Sequence, residues 1–217
     1  RWPECHSPEW LKEIKQDEVQ KATLKMLETV VERYKSRPEI IYWQVENEPL
    51  LDLFGECPDS DPAWLREEVS LVRKLDDREI IISGSGELSS WQEEGRIGDI
   101  FGTTMYRVVY NSAFGYIRYP WPATFYSLKA KMAHIEPQNR IVAELQAEPW
   151  VPNGKMSEMS NKEADRSMSL EQFKSNLQFA QNVGFSRVSL WGVEWWYFKL
   201  KQGDSSFWYE AKKLFTN

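Results

Sequence analysis

Two hydrophobic periods take turns along this chain, one of helical spacing and one of short apolar runs. Over residues 16–35 the positions Val19, Thr23, Met26, Val30 and Tyr34 share one helical face, with Asp17 placed to cap the start and Arg37-Pro38 to stop it. A strand-like run over 39–45 follows. Asp61-Pro62 then opens a second helix, a cap with proline at the first helical position, and Leu65, Val69, Val72 and Leu75 form its stripe. The β-branched run 79–82 ends in Ser83-Gly84-Ser85-Gly86-Glu87. Further strands are predicted over 100–105, over 140–143 ending at Glu144, and over 187–191. Helices are predicted over 122–135, 169–183 and 207–215. In the 169–183 helix Ser169 and Gln172 make a capping-box pattern, Leu170, Phe173, Leu177 and Ala180 face inward, and Gly184 stops it. Residues 156–166 are polar and read as a loop.

Short buried strands separated by helices imply parallel pairing in an α/β fold. A doubly wound nucleotide fold wants a glycine-rich phosphate turn after its first strand. The one glycine-rich turn, 83–87, ends in a carboxylate that repels phosphate. A (β/α)8 TIM barrel is the better fit. Five strands are visible, six if residues 2–6 trail another, whereas a complete barrel has eight strands and about 250 residues. The expectation is therefore one catalytic barrel domain over 1–217, lacking the first two to three strands at its N-terminal side. Open sheet edges in such a chain predict poor solubility when isolated.

Composition narrows the partners. The net charge is −6, with no basic run and no interleaving of aromatics with Lys or Arg, which argues against nucleic acid. No apolar stretch approaches the ~20 residues of a membrane helix. Eleven Trp point to a dense core or to a groove that stacks flat ligands such as sugar rings. Cys5 and Cys57 are too few for a metal knuckle or a disulfide framework and read as free thiols, a single bridge being the alternative. His6 and His134 have no ligand spacing, so no metal is expected; His134 is placed in a helix, and His6 after the first strand fragment. No cofactor is implied. The chain opens on Arg1-Trp2-Pro3 without methionine or signal peptide, as a fragment or mature form does.

In a barrel of this kind the chemistry gathers at the C-terminal strand ends. Those ends carry Asn47 and Glu48, then Ser85 and Glu87, then Tyr106, then Glu144, then Trp191 and Glu194. Two carboxylates from different strands are what glycosidic cleavage needs: one protonates the leaving oxygen, the other attacks the anomeric carbon. Pro49 should bias Glu48 towards an extended backbone and so set its direction. Ser83 and Ser85 have no histidine partner, which argues against a serine hydrolase.

A strand closing on Asn47-Glu48-Pro49, a second Glu at the end of a strand about two units later and a last strand closing on Trp191 resemble clan A of the glycoside hydrolases. Glu144-Leu145-Gln146 followed by Pro149-Trp150 is similar to the nucleophile stretch of some β-galactosidase-type members. The resemblance implies a retaining (β/α)8 barrel that cleaves β-glycosidic bonds of an oligo- or polysaccharide. It implies Glu48 as acid/base, Glu144 as nucleophile, Asn47 as a contact to the 2-hydroxyl, Tyr106 as hydrogen-bond partner of the nucleophile and Trp191 as ring platform. Trp150 is a candidate for the substrate groove or the barrel roof, and Glu194, like Glu87, for a sugar-hydroxyl acceptor or a solvated strand end. A complete chain is expected to be a monomer, and the resemblance suggests an extracellular or cell-envelope location. Retention would require the two carboxyl groups about 5–5.5 Å apart, with Glu48 protonated and Glu144 ionised at the start. The arginine that clan members carry near the end of strand two has no counterpart here.

Rivals remain on the page. Glu46 shares a strand face with Glu48 but does not precede the proline, and Glu148 lies beyond the apolar run that ends at Glu144. Trp195 and Trp196 suit a groove wall and a barrel roof equally. A carbohydrate-binding protein without turnover, or an inactive fragment of such an enzyme, is the alternative function.

Overall fold

The computed structural model describes residue 9, residues 13–51 and residues 61–215. Cys5, Cys57, His6 and the strand fragment expected over 2–6 lie outside the described residues. The described chain falls into two compact units. The first reaches to Gly102 and takes in Ala133–Ile135; the second comprises Thr103–Met132 and the chain from Glu136 onwards.

The first unit holds helix α1 (Gln16–Tyr34), strand β1 (Trp43–Gln44), helix α2 (Pro62–Leu75), strand β2 (Ile80–Gly84), the short helix α3 (Glu94–Ile97) and the start of strand β3 (Ile100–Met105). β1 runs parallel to β2, with Trp43 opposite Ile80 and Gln44 opposite Ile81, and the strand order is β1-β2-β3. α2 begins as expected, the Asp61 carboxylate accepting the N–H of Ala63 at 2.7 Å ahead of Pro62. Its stripe packs with Val31, Val45, Ile80, Ile82 and Ile97 into one core.

Two expectations in this unit need correction. Asp17 does not cap α1: the cap position is Lys15, without a side-chain bond. The later part of the anticipated stripe also faces outward, Met26 being 56% exposed and Val30 and Tyr34 on the surface as well, while Val19 and Thr23 are half-buried. The better buried line lies one residue out of phase, with Gln20 and Val31 buried and Leu27 half-buried, and it packs into the core that α2 shares. The strand expected over 39–45 shrinks to Trp43–Gln44. Arg78 explains the loss, since its guanidinium collects the carbonyls of Lys35, Arg37 and Ile40 at 2.7–2.9 Å and pairs with Asp76. Carbonyls turned to an arginine are not available to a ladder.

The second unit contains the rest of β3, the antiparallel hairpin β4 (Val108–Asn111) and β5 (Gly115–Arg118), helix α4 (Ala123–Met132), strand β6 (Arg140–Gln146), helices α5 (Asn161–Met168) and α6 (Leu170–Val183), strand β7 (Arg187–Trp191), and helices α7 (Val193–Lys201) and α8 (Ser206–Lys212). Its parallel strands follow the order β3-β6-β7. Ser169 accepts the N–H of Gln172 at 3.2 Å, and Gly184 ends α6 at φ 75°, as the sequence predicts. The Gln172 amide does not close the capping box, however; it donates to Asn176 at 2.6 Å. His134 lies in the turn after α4 with φ 57°, not in the helix. The loop expected over 156–166 contains most of α5, whose start is capped by Ser160 accepting from Glu163 N at 3.2 Å. The hairpin escaped the sequence reading although Gly115, at φ 72°, and the β-rich pairs around it carry the signal.

Parallel strands joined through helices in both units are the construction of an incomplete (β/α) barrel. Among the described residues, no helix is long and apolar enough to cross a membrane.

Candidate active site

In the first unit, the chain leaves β1 through two residues in the left-handed region, Glu46 at φ 60° and Glu48 at φ 47°. Glu48 therefore does not take the extended backbone that Pro49 led us to expect. The bond that holds it explains why: the Glu48 N–H donates to Ser83 Oγ at 2.9 Å. Ser83, fully buried at the end of β2, in turn donates to Asn47 Oδ1 at 3.2 Å, and the Gln44 amide reaches the same oxygen at 3.2 Å. Non-glycine residues in this region cost about 1–3 kcal/mol each and persist where the surroundings over-determine them. Asn47 is exposed and Glu48 half-buried. Desolvation holds the Glu46 carboxyl above the usual carboxylate range. The buried Glu68 on α2 rises to about 7, first through burial and then through the charges of Glu46 and Glu67. Ser85 serves the turn after β2: its carbonyl accepts the Trp91 indole N–H at 2.7 Å and the Ser89 hydroxyl at 3.1 Å.

In the second unit, β6 extends to Gln146, so Glu144 lies within the strand and not at its end. Pairing to β7 slips there. Val142 stands opposite Val188 and Leu145 opposite Leu190, so Ala143 and Glu144 together face a single residue. This is a β-bulge, a feature that breaks the in–out alternation and re-aims a side chain. Both bulge residues are half-buried, whereas their neighbours on either side are buried. The Tyr106 hydroxyl donates to Glu144 Oε2 at 2.8 Å. Trp150 meets the Tyr106 ring edge-on, with centroids 5.9 Å apart, and its backbone N–H is held by Ser167 Oγ at 2.9 Å.

The ends of β6 and β7 are locked together. Ala147 N donates to Trp191 O at 2.9 Å, and Trp196 Nε1 donates to Ala147 O at 2.7 Å. Gly192 crosses directly behind: a Cβ there would lie 2.5 Å from the Ala147 carbonyl carbon. Trp191 is 51% exposed at the strand end. Glu194 is exposed in the first turn of α7. Trp195 and Trp196 prove to be core, packed with Phe173, Met168 and Phe207. Glu148 lies half-buried past the end of β6.

The structure thus joins Tyr106, Glu144 and Trp150 in one constellation, and Asn47, Glu48 and Ser83 in another. Glu48 belongs to the first unit and Glu144 to the second. Sequence reasoning missed the positional role of Ser83, weighed only as a nucleophile, and that of Gln146, whose buried side chain bonds to the backbone of Val108. A polar residue at the end of an apolar strand was the available signal. Among the described residues, no group of three or more His, Cys, Asp or Glu is arranged to hold a metal.

Residues 13–93 match the family model described as β-galactosidase. No curated protein sequence matches the chain. Among solved structures, the FMN-binding β-glucuronidase of Faecalibacterium prausnitzii L2-6 superposes with a TM-score of 0.55 at 12% identity, over 82% of this chain and 26% of that one. The β-galactosidase of the psychrophilic Marinomonas ef1 gives 0.53 at 12% identity, covering 80% of this chain and 37% of its own. The polyextremophilic β-galactosidase of the Antarctic haloarchaeon Halorubrum lacusprofundi gives 0.51 at 14% identity, covering 81% and 36%. The chain therefore spans between 26% and 37% of the length of these structures. The resemblance read from Asn47-Glu48-Pro49, Glu144 and Trp191 has its counterpart in these findings: the chain shares its fold with glycoside hydrolases, and its first part matches a β-galactosidase family.

Proposed function

We propose that this chain is the catalytic part of a retaining glycoside hydrolase acting on β-galactosides. The hydrogen bond from Tyr106 to Glu144, on a bulge that re-aims the carboxylate, carries the reading. The β-galactosidase family match over residues 13–93, which include Glu48, supports it from the other unit. Glu48 protonates the glycosidic oxygen as the C1–O bond breaks. Glu144 attacks C1 and forms a glycosyl ester. Water then gives its proton to Glu48 and adds to C1, the ester breaks, and the sugar leaves with its original anomeric configuration. Tyr106 donates to the carboxylate and orients it, a role suited to a phenol beside an anionic acceptor. Asn47 contacts the 2-hydroxyl, Trp191 stacks on the sugar ring, and Trp150 and Glu194 extend the groove.

Hydrolysis of an aryl β-galactoside, with the product anomer read by NMR, tests the reaction class. Glu144→Ala should abolish turnover, and azide should partly restore it with an inverted glycosyl azide as product. Full activity in that variant removes Glu144 from the mechanism. Binding of the sugar without turnover by the unaltered protein replaces the enzyme with a carbohydrate-binding protein.

A further inference from the structure

Glu144 and Gln146 stand two residues apart on β6, and Tyr106 and Val108 two residues apart at the start of the hairpin. Two cross-links join them side by side. The first is the Tyr106 hydroxyl on Glu144 Oε2 at 2.8 Å. The second is a double one: Gln146 Oε1 accepts the Val108 N–H at 2.9 Å and Gln146 Nε2 donates to the Val108 carbonyl at 2.7 Å. A side-chain amide carries one acceptor and one donor on the same planar group, which is what the backbone of a neighbouring strand would offer. Gln146 thus replaces a ladder rung with its own side chain.

That side chain is itself held. Gln146 is 1% exposed, and its backbone carbonyl accepts Asn176 Nδ2 at 2.8 Å from α6. Asn176 in turn accepts the Gln172 amide at 2.6 Å. On the far side, the segment is fixed at Arg107, whose guanidinium donates to the carbonyls of Tyr119 and Trp121 at 3.0 and 3.1 Å and lies 3.9 Å over the Phe179 ring. The chain is therefore gripped at 107 and 108, immediately after Tyr106. A bulged strand has lost the regular ladder that would otherwise fix the direction of Glu144, so its orientation depends on such supports.

We propose that Gln146 is a positioning residue for the candidate nucleophile: through Val108 it holds the Tyr106 hydroxyl on Glu144. The proposal rests on the reading of Glu144 given above. Misplacing a reacting group by about 1 Å can cost about a hundredfold in rate. Gln146→Met keeps the volume and removes both bonds. We expect kcat per active site, titrated with a 2-deoxy-2-fluoro-β-galactoside, to fall about 10–100-fold with KM within about twofold, as an orientational loss requires.

Gln146→Glu supplies a readout that plain packing would not move. Its neutral carboxyl can accept from the Val108 N–H and donate to the Val108 carbonyl, as the amide does; its ionised form can only accept. The ratio of variant to wild-type kcat should therefore be close to one in acid and fall at least about tenfold as pH rises and the introduced carboxyl ionises. This second variant serves where Gln146→Met does not fold. A ratio independent of pH, or an unchanged kcat in Gln146→Met, overturns the proposal. Crystal structures of the variants separate it from the enzymatic reading: the Tyr106–Glu144 separation should exceed 3.5 Å in Gln146→Met, whether or not the protein turns over. If it stays at 2.8 Å, Gln146 positions nothing. If it lengthens while the wild type forms no glycosyl ester at Glu144, the enzymatic reading fails and the proposal falls with it.

Discussion

Ser83 Oγ accepts the backbone N–H of Glu48 at 2.9 Å, across 35 residues of sequence. The bond anchors a glutamate that sits at φ 47° in front of a proline, a conformation that local preferences oppose. The same hydroxyl donates to Asn47, so one buried serine holds two of the residues proposed to touch the sugar.

Ser83→Ala tests that anchor. The variant leaves the Glu48 N–H without this partner and should lose about 1–2 kcal/mol of stability. It should also lower kcat about tenfold, because Glu48 can then relax from the left-handed region. Chemical denaturation measures the first effect and aryl β-galactoside kinetics the second.

Tyr106→Phe keeps the ring that meets Trp150 edge-on and removes only the donor to Glu144. A hydrogen bond to a charged group contributes about 1.5–3 kcal/mol, so kcat should fall roughly 10–150-fold. The same loss should lower the melting temperature by several degrees.

Glu68 makes stability depend on pH. Its carboxyl titrates near 7 in the folded protein against 4.5 for the unperturbed group, so the folded state binds the proton more tightly. The protonated form carries no penalty below about 4.5; stability then falls as pH rises and levels off once Glu68 is ionised above about 7. Glu68→Gln should remove this slope and stabilise the protein at pH 8. Urea titrations of both proteins at acid and mildly alkaline pH provide the comparison, with equal slopes contradicting the assignment.

Gly192→Ala places a methyl group 2.5 Å from the Ala147 carbonyl at a backbone φ of 152°. Clash and strain together should cost about 3 kcal/mol. The Ala147–Trp191 bond should break first, and hydrogen exchange at the Ala147 amide should report the change at lower denaturant than global unfolding.

The sequence by itself determined the elements whose causes are local. Asp61 with Pro62, Ser169 and Gly184 mark helix ends through bonds or φ values within a few residues of themselves. The strands 100–105 and 187–191 match their predicted limits. Glu48 and Glu144 are nominated by the predicted ends of apolar runs together with the resemblance to clan A, whereas Glu48 lies beyond β1 and Glu144 inside β6. Only the tertiary structure decided the rest. Which stripe of α1 is buried depends on the α2 partner, and the short β1 depends on an arginine 38 residues beyond Ile40. The bulge under Glu144 is a mismatch of register with β7, more than forty residues away, and the left-handed turn at Glu48 is secured by Ser83. Local patterns encode caps and periods; direction and register come from pairing between distant segments, which no short window of sequence contains.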